Sequence, residues 1–242
     1  MNNEKKKNLK GKLFISGGGQ ANKTKKLDGL FFSLIPKIKR MLYIPIAMPT
    51  KIYSQGDCFD WVTQVFPKFG VRKIDMWTDL NGRKYSQLED YGAVYFGGGN
   101  TFTLLHHVKK TGFDKLLLHY YNNGGTIYGG SAGAIILGLD IGTASFGGDA
   151  DENLVKLKDL SGLRLVKNFS IQCHYSSSDD IDAINYVQST KLNIIALPDE
   201  TGLYINDDTI KVVGDKSAFV FLKSGKKEYK PKSFINWIDV SF

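Results

Sequence analysis

Strand-length apolar runs alternate with longer amphipathic stretches along this chain as far as Leu197, and that alternation narrows the fold more than any other feature. The runs Lys12–Ser16, Met41–Ile46, Arg72–Trp77, Ala93–Phe96, Thr126–Tyr128, Phe169–Cys173 and Ile194–Leu197 are short and continuous. Runs of that kind suit parallel strands buried on both faces. Between them, Leu27–Lys39, Asp57–Phe69, Thr101–Lys110, Phe113–Asn122 and Asp179–Thr190 carry helical patterns. Asp57 can cap its helix and Gly70 can end it. Strand and helix in alternation predict an α/β fold: a doubly wound, mostly parallel sheet flanked by helices.

The last third changes character. Gly202–Ile205, Thr209–Val213, Ala218–Leu222 and Glu228–Lys230 read as short strands, with turns at 206–208 and 224–226. They predict a small C-terminal antiparallel meander packed on the same unit. No linker or internal repeat interrupts the sequence, so its 242 residues are expected to form a single domain, with 1–11 as a flexible basic N-terminus. Hydrophobic residues at 42% and charged residues at 23% exclude a disordered chain, a collagen-like chain and a disulfide scaffold. No apolar run reaches the ~20 residues that a membrane-crossing helix needs. No secretory apolar region follows the basic start, so the cytoplasm is the expected compartment, with Cys58 and Cys173 reduced.

The formal net charge is +8, which at first suggests an anionic partner. Residues 1–12 and 223–232 each carry five lysines against one glutamate, and so account for the whole excess. Arginine is confined to Arg40, Arg72, Arg83 and Arg164. A nucleic-acid-binding face would spread basic charge and interleave arginine. The two segments read instead as solvated ends, and neither nucleic acid nor a membrane is expected as a partner.

In open α/β sheets, ligands bind beyond the carboxyl ends of the strands. Here those ends carry Gly17-Gly18-Gly19, Gly97-Gly98-Gly99-Asn100, Gly129-Gly130-Ser131-Ala132-Gly133 and His174. The third satisfies G-x-S-x-G between a strand and the apolar stretch Ala134–Leu139, the context of a nucleophile elbow. Only small residues fit a turn that lifts the Ser131 hydroxyl above the sheet. A nucleophilic serine needs a base. His106, His107 and His119 fall within expected helices, whereas His174 ends a strand on the same rim as Ser131. Cys173 should face away from His174, because neighbours on a strand point to opposite faces; it is expected in the core. Asp149, Asp151, Glu152 and Glu200 are candidates to orient the imidazole. The backbone N–H of Ala132, with one from the Gly97–Gly99 turn, is placed to hold an oxyanion. Asn100 and Thr101, at the mouth of that turn, are expected to touch substrate.

These residues together resemble the serine-peptidase family of dipeptidase E (aspartyl dipeptidase) and cyanophycinase. The resemblance is carried by Tyr95-Phe96-Gly97-Gly98-Gly99-Asn100-Thr101-Phe102, Gly130-Ser131-Ala132-Gly133-Ala134, Ile171-Gln172-Cys173-His174-Tyr175 and Ala196-Leu197-Pro198-Asp199-Glu200. It implies a fold similar to the class I glutamine amidotransferases, Ser131 as nucleophile and His174 as base; Gly98, Gly99 and Ala132 remain the expected backbone donors to the oxyanion. It places the acid in the loop between serine and histidine, which favours Asp149, with Glu200 the alternative. It implies hydrolysis of short peptides through an acyl-enzyme, with a small peptide as substrate and no cofactor. A cyanophycinase-like or other amidohydrolase is the neighbouring reading. The aspartyl dipeptidases carry an Arg shortly after the histidine. Here residues 175–182 hold no Arg or Lys and are acidic, which argues against the aspartyl preference.

Two readings from other classes compete. Gly17-Gly18-Gly19-Gln20-Ala21-Asn22-Lys23-Thr24 is a near miss to G-x-x-x-x-G-K-[ST], with Asn22 in place of the second glycine. Lys25 and Lys26 would then face the positive end of a helix, which counts against a nucleotide site. An inactive binding protein on a hydrolase scaffold is the other, since fold alone does not fix activity. The histidines are scattered and no Cys-x-x-Cys occurs, so no metal is expected. A homodimer stays open.

Overall fold

The computed structural model describes residues 10–236 apart from 20, 36–39, 50–52, 71–72 and 208. The largest sheet has eight strands. Five are parallel: β1 (Lys12–Ser16), β2 (Arg40–Ile44), β3 (Ile74–Met76), β4 (Tyr91–Phe96) and β5 (Thr126–Gly130). They lie in the order β1-β5-β4-β2-β3. The connections are α1 (Ala21–Leu34), α2 (Gln55–Val65), α3 (Tyr85–Leu88), α4 (Thr101–Lys110) and α5 (Phe113–Asn122). After β5, α6 (Ala132–Ile136) leads by a long loop to β6 (Phe169–Gln172), α7 (Asp180–Thr190) and β7 (Asn193–Ala196). The C-terminal strands are β8 (Thr201–Asn206), β9 (Thr209–Gly214), β10 (Ala218–Leu222), β11 (Gly225–Tyr229) and β12 (Phe234–Asn236).

Period-two alternation divides the parallel strands between two apolar layers. Leu13, Ile15, Leu42, Ile44, Val94, Phe96 and Ile127 face one layer, with Phe102, Leu105 and Leu117 of α4 and α5. Phe14, Met41, Tyr43, Ala93, Tyr95 and Tyr128 face the other, with Phe31 of α1 and Val62 of α2. Strands apolar on both faces require helices on both faces, which gives the doubly wound class expected from the sequence.

The strands after residue 168 are arranged differently from that expectation. β6 and β7 pair in parallel, as expected, but in a separate four-stranded sheet of order β11-β10-β7-β6. The C-terminal strands do not form one meander. β8, β9 and β12 extend the large sheet beside β1, antiparallel, while β10 and β11 complete the small one. Ala183 and Val187 of α7 bury against Ile194, Ala196 and Phe221 of the small sheet.

Local departures have local causes. α2 starts earlier than expected, because Ser54 is its cap: the Ser54 hydroxyl accepts from the Asp57 N–H while Asp57 accepts from the Ser54 N–H. Pro67 turns the last part of that stretch into a 3-10 turn, and Gly70 ends it with φ 90°. α1 begins at Ala21 rather than Leu27, and the expected end of that helix at 36–39 lies outside the described residues, as do Arg72 and the greater part of the 1–11 arm. One of the expected solvated lysines is engaged: Lys226 lies 2.8 Å from Asp180 and 2.6 Å from the Tyr175 hydroxyl, over the Phe219 ring. No helix among the described residues is long and apolar enough to cross a membrane.

Candidate active site

The carboxyl ends of β1 and β5 lie side by side, with Ser16 in register with Gly130. Beyond them the chain is tied across both sheets. The Ser131 N–H donates to Ser16 O (3.2 Å), the Gly17 N–H to Thr201 O (2.9 Å) and the His174 N–H to Gly17 O (2.8 Å). The last bond ties the end of β6, in the small sheet, to the end of β1, in the large one. Two strand ends in different sheets thus share one rim.

Ser131 stands between β5 and α6 with φ 49° and ψ −114°. A side-chain-bearing residue rarely adopts that backbone, and such strain marks functional turns. The N–H groups of Ala134 and Ile135 donate to Ser131 O, so α6 starts directly behind the hydroxyl. His174 also has a left-handed backbone, φ 54°, which turns its ring out of the strand's alternation and toward Ser131. Ser131 Oγ and His174 Nε2 are 2.8 Å apart. Gly18 provides the space for that ring. A Cβ built there would lie 2.1 Å from His174 Cε1, and the residue has φ 118°, so glycine is required on both counts.

The carboxylate on the other ring nitrogen belongs to Asp199: its Oδ1 lies 2.9 Å from His174 Nδ1. This corrects the expectation for the acid. Asp149 sits on an exposed loop that lines the cavity, and the oxygen at Nδ1 is not its own. Glu200 has φ 72°, and its Oε2 is directed to Lys216, 3.6 Å away. Asp199 was within reach of the strand-end rule, because it lies on the same rim segment after β7 as Glu200. What the sequence does not reveal is the left-handed turn that brings the earlier of the two to the histidine. Asp199 Oδ2 receives a second bond, from Lys23 Nζ at 3.0 Å. Partial burial works to raise the Asp199 carboxyl, but the hydrogen bonds and charges of Lys23 and His174 outweigh it and hold it below the ordinary carboxylate value.

The glycine turn after β4 lies against the serine: a Cβ on Gly98 would be 3.2 Å from Ser131 Cβ. The flanking N–H groups of Gly97 and Asn100 donate to Ile44 O and Ala47 O, which fixes Gly98 and Gly99 between them. Ala132 is the first residue of α6 and is fully buried. Of the two expected substrate contacts, one is buried and the other lines the cavity. Thr101 is 1% exposed and gives its N–H to Asp151 Oδ2 (2.8 Å), so it does not line the cavity. Asn100 does line it, but its side chain is engaged: Oδ1 accepts from the Thr103 N–H and Nδ2 donates to Glu152 O. Cys173 packs at the edge of the larger core, and it also reaches the cavity wall, its Sγ 3.6 Å from Ser131 O. β6 ends at Gln172, so strand alternation no longer governs residues 173 and 174. Burial pushes the Cys173 thiol far up, which disfavours the thiolate that a nucleophilic cysteine requires.

A cavity of about 510 Å³ opens in front of Ser131 and His174, with Asp149, Asp151 and Asp179 in its wall and no Lys or Arg. Asp179 is satisfied within the fold by the Ser176 N–H and Gln172 Nε2. Asp151 is pushed up by burial, an effect that the bond from the Thr101 N–H only partly offsets. Among the described residues, no group of three or more His, Cys, Asp or Glu could hold a metal ion. The order carboxylate–imidazole–hydroxyl suits proton transfer from the serine oxygen to Nε2 while Nδ1–H donates to the carboxylate.

The chain resembles known peptidases over most of its length. The model of "Peptidase family S51" matches residues 13–213. "Peptidase E" from Nostoc sp. (strain PCC 7120) is 27% identical over 213 residues, covering 83% of this chain and 84% of that protein. A peptidase from Listeria monocytogenes described as uncharacterized is 35% identical over 108 residues, and the match spans about half of both proteins, 45% of this chain and 52% of that one. Among solved structures, a peptidase from an acI-B1 Actinobacterium superposes with a TM-score of 0.69 at 17% identity, covering 95% of this chain and 98% of the other. At that identity the likeness concerns the fold.

Proposed function

The chain belongs to peptidase family S51, and from that premise we propose that this serine peptidase cleaves short peptides through an acyl-enzyme formed on Ser131, with His174 as base and Asp199 as the acid that orients it. One observation carries the reading: the Ser131 hydroxyl and the Asp199 carboxylate occupy opposite nitrogens of the His174 ring, at 2.8 and 2.9 Å.

The steps follow from that order. Asp199 accepts from Nδ1–H, so Nε2 carries the lone pair that takes the Ser131 proton. The serine oxygen attacks the scissile carbonyl, and the oxyanion is received by the N–H of Ala132 and an N–H of the Gly98–Gly99 turn. One such donor is worth about 3–4 kcal/mol of barrier. Imidazolium then protonates the leaving amine. Water, activated by the same nitrogen, releases the acyl group and restores Ser131. Because Asp199 is held below the ordinary carboxylate range, it stays ionised where carboxylates normally protonate. The acid limb of activity is therefore not set by protonation of Asp199.

The cavity's charge supports a substrate without an acidic side chain beside the scissile bond. Three aspartates and no Lys or Arg line it, so an aspartyl substrate would meet like charge, whereas a free peptide amino group or a basic side chain would meet opposite charge. A panel of dipeptides and tripeptides, varied at the first residue and followed by release of free amino acid, tests the proposal. Cleavage of neutral or basic peptides ahead of aspartyl ones is expected. Hydrolysis of none contradicts the peptidase reading, and preferential cleavage after Asp contradicts the charge argument.

A further inference from the structure

The glycine-rich segment before α1 resembled a phosphate loop in sequence, and the structure puts its lysine to another use. We propose that Lys23 is a positioning residue for the Ser131–His174 pair, fixing the Asp199 carboxylate and offsetting its charge; this rests on the triad proposed above. Lys23 lies in the first turn of α1, which contains no acidic residue. A cation there faces the positive end of the helix. Its compensation comes from 176 residues away: Asp199 Oδ2, 3.0 Å from Nζ. Gly19 provides room for the aliphatic stem, since a Cβ at that position would lie 2.8 Å from Lys23 Cδ.

The two carboxylate oxygens are thus divided, Oδ2 to Lys23 and Oδ1 to His174 Nδ1. With both held, the carboxylate plane is fixed and the imidazole meets one oxygen in one orientation. With Oδ2 released, the carboxylate can rotate about its own bond. The charge balance changes as well. The ionisable groups around Asp199 are Lys23 on α1, His174 and Cys173 after β6, the adjacent Glu200, and Asp151 across the cavity. Cys173 is kept neutral by burial, Asp151 is bonded to Thr101, and Glu200 is directed to Lys216. Lys23 is the cation that meets the Asp199 charge from the side opposite His174. Without it, that charge bears on the imidazolium alone. The imidazolium is stabilised, and His174 holds its proton to higher pH.

The test is the pH profile of kcat/KM for the wild type, Lys23→Met and Lys23→Arg, with NMR titration of the imidazole protons in the same proteins. The chain has four histidines, and His174→Gln identifies the signal of His174. For Lys23→Met we expect the acid limb and the His174 midpoint to move up together by about half to one pH unit, the size of a unit charge roughly 6 Å away in a wet site. At the plateau, kcat should fall about tenfold with KM little changed, as expected for lost orientation rather than lost binding. Lys23→Arg should restore both. An unmoved midpoint, or one that moves down, overturns the proposal even where kcat falls. If instead Ser131→Ala keeps full activity, the triad itself is wrong, and the NMR midpoint still decides whether Lys23 acts on His174.

Discussion

At the scale of single residues, the site depends on backbone conformations that side-chain-bearing residues rarely adopt. Ser131, His174 and Glu200 have φ of 49°, 54° and 72°. The first presents the hydroxyl, the second swings the ring out of strand alternation, and the third turns Glu200 away, leaving Asp199 at the ring. Ser131 was legible from its G-x-S-x-G setting after a strand, and His174 because it follows a strand end and has only three rivals of its type. The acid was not legible, since Asp199 and Glu200 are neighbours and only the left-handed turn separates their directions. Asn100 and Thr101 show a related ambiguity, because residues at a helix start serve the helix as readily as a ligand: Thr101 is buried, while Asn100 caps α4 and lines the cavity. Replacing Asp199 by Asn removes the acceptor that selects the imidazole tautomer, and kcat should fall on the order of 10³–10⁴-fold. Asp149→Asn should stay within several-fold of wild type at equal stability. Steady-state kinetics of the two variants on one peptide make the comparison, and the reverse ranking would return the acid to Asp149.

At the scale of elements, the turn after β1 matters as much as the elbow after β5. Its carbonyls and N–H groups tie Ser131, His174 and Thr201 together, and Gly18 yields its side-chain space to the imidazole. Gly18→Ala would force a Cβ to within 2.1 Å of the ring at φ 118°. Something must shift, and the ring's outward path to solvent is the open one. We expect the variant to remain folded by circular dichroism and to lose at least 10²-fold in kcat/KM, since displacements of about 1 Å at reacting groups cost that much. Wild-type kinetics in Gly18→Ala would show that the ring does not need this position. The parallel strands and the helices between them were legible from apolar periodicity. The partners of β6 and β7 were not, because periodicity states that a strand is buried on two faces without stating which sheet buries it.

At the scale of the whole molecule, the large sheet carries Ser131 and the small sheet's strand ends carry His174 and Asp199. Integrity of the small sheet is therefore a condition for the site. Phe221 of β10 is 1% exposed and packs against Tyr175, the residue after His174, with Ala183 and Val187 of α7. Phe221→Ala should cost about 3–5 kcal/mol by chemical denaturation. Of the two lysine-rich segments seen in the sequence, 223–232 contributes nothing to the cavity wall, and its Lys226 is drawn into the small sheet's packing against Tyr175 and Asp180. The cavity itself is acidic, so overall charge and substrate charge are separate matters here. The central claim is that the Ser131 hydroxyl attacks the peptide carbonyl. Its most direct test is kcat/KM of Ser131→Ala against wild type on the best substrate of the peptide panel, with matched melting temperatures. A loss of at least 10³-fold is predicted, the scale of removing a nucleophile while binding and oxyanion donors remain. Turnover within tenfold of wild type would contradict the account.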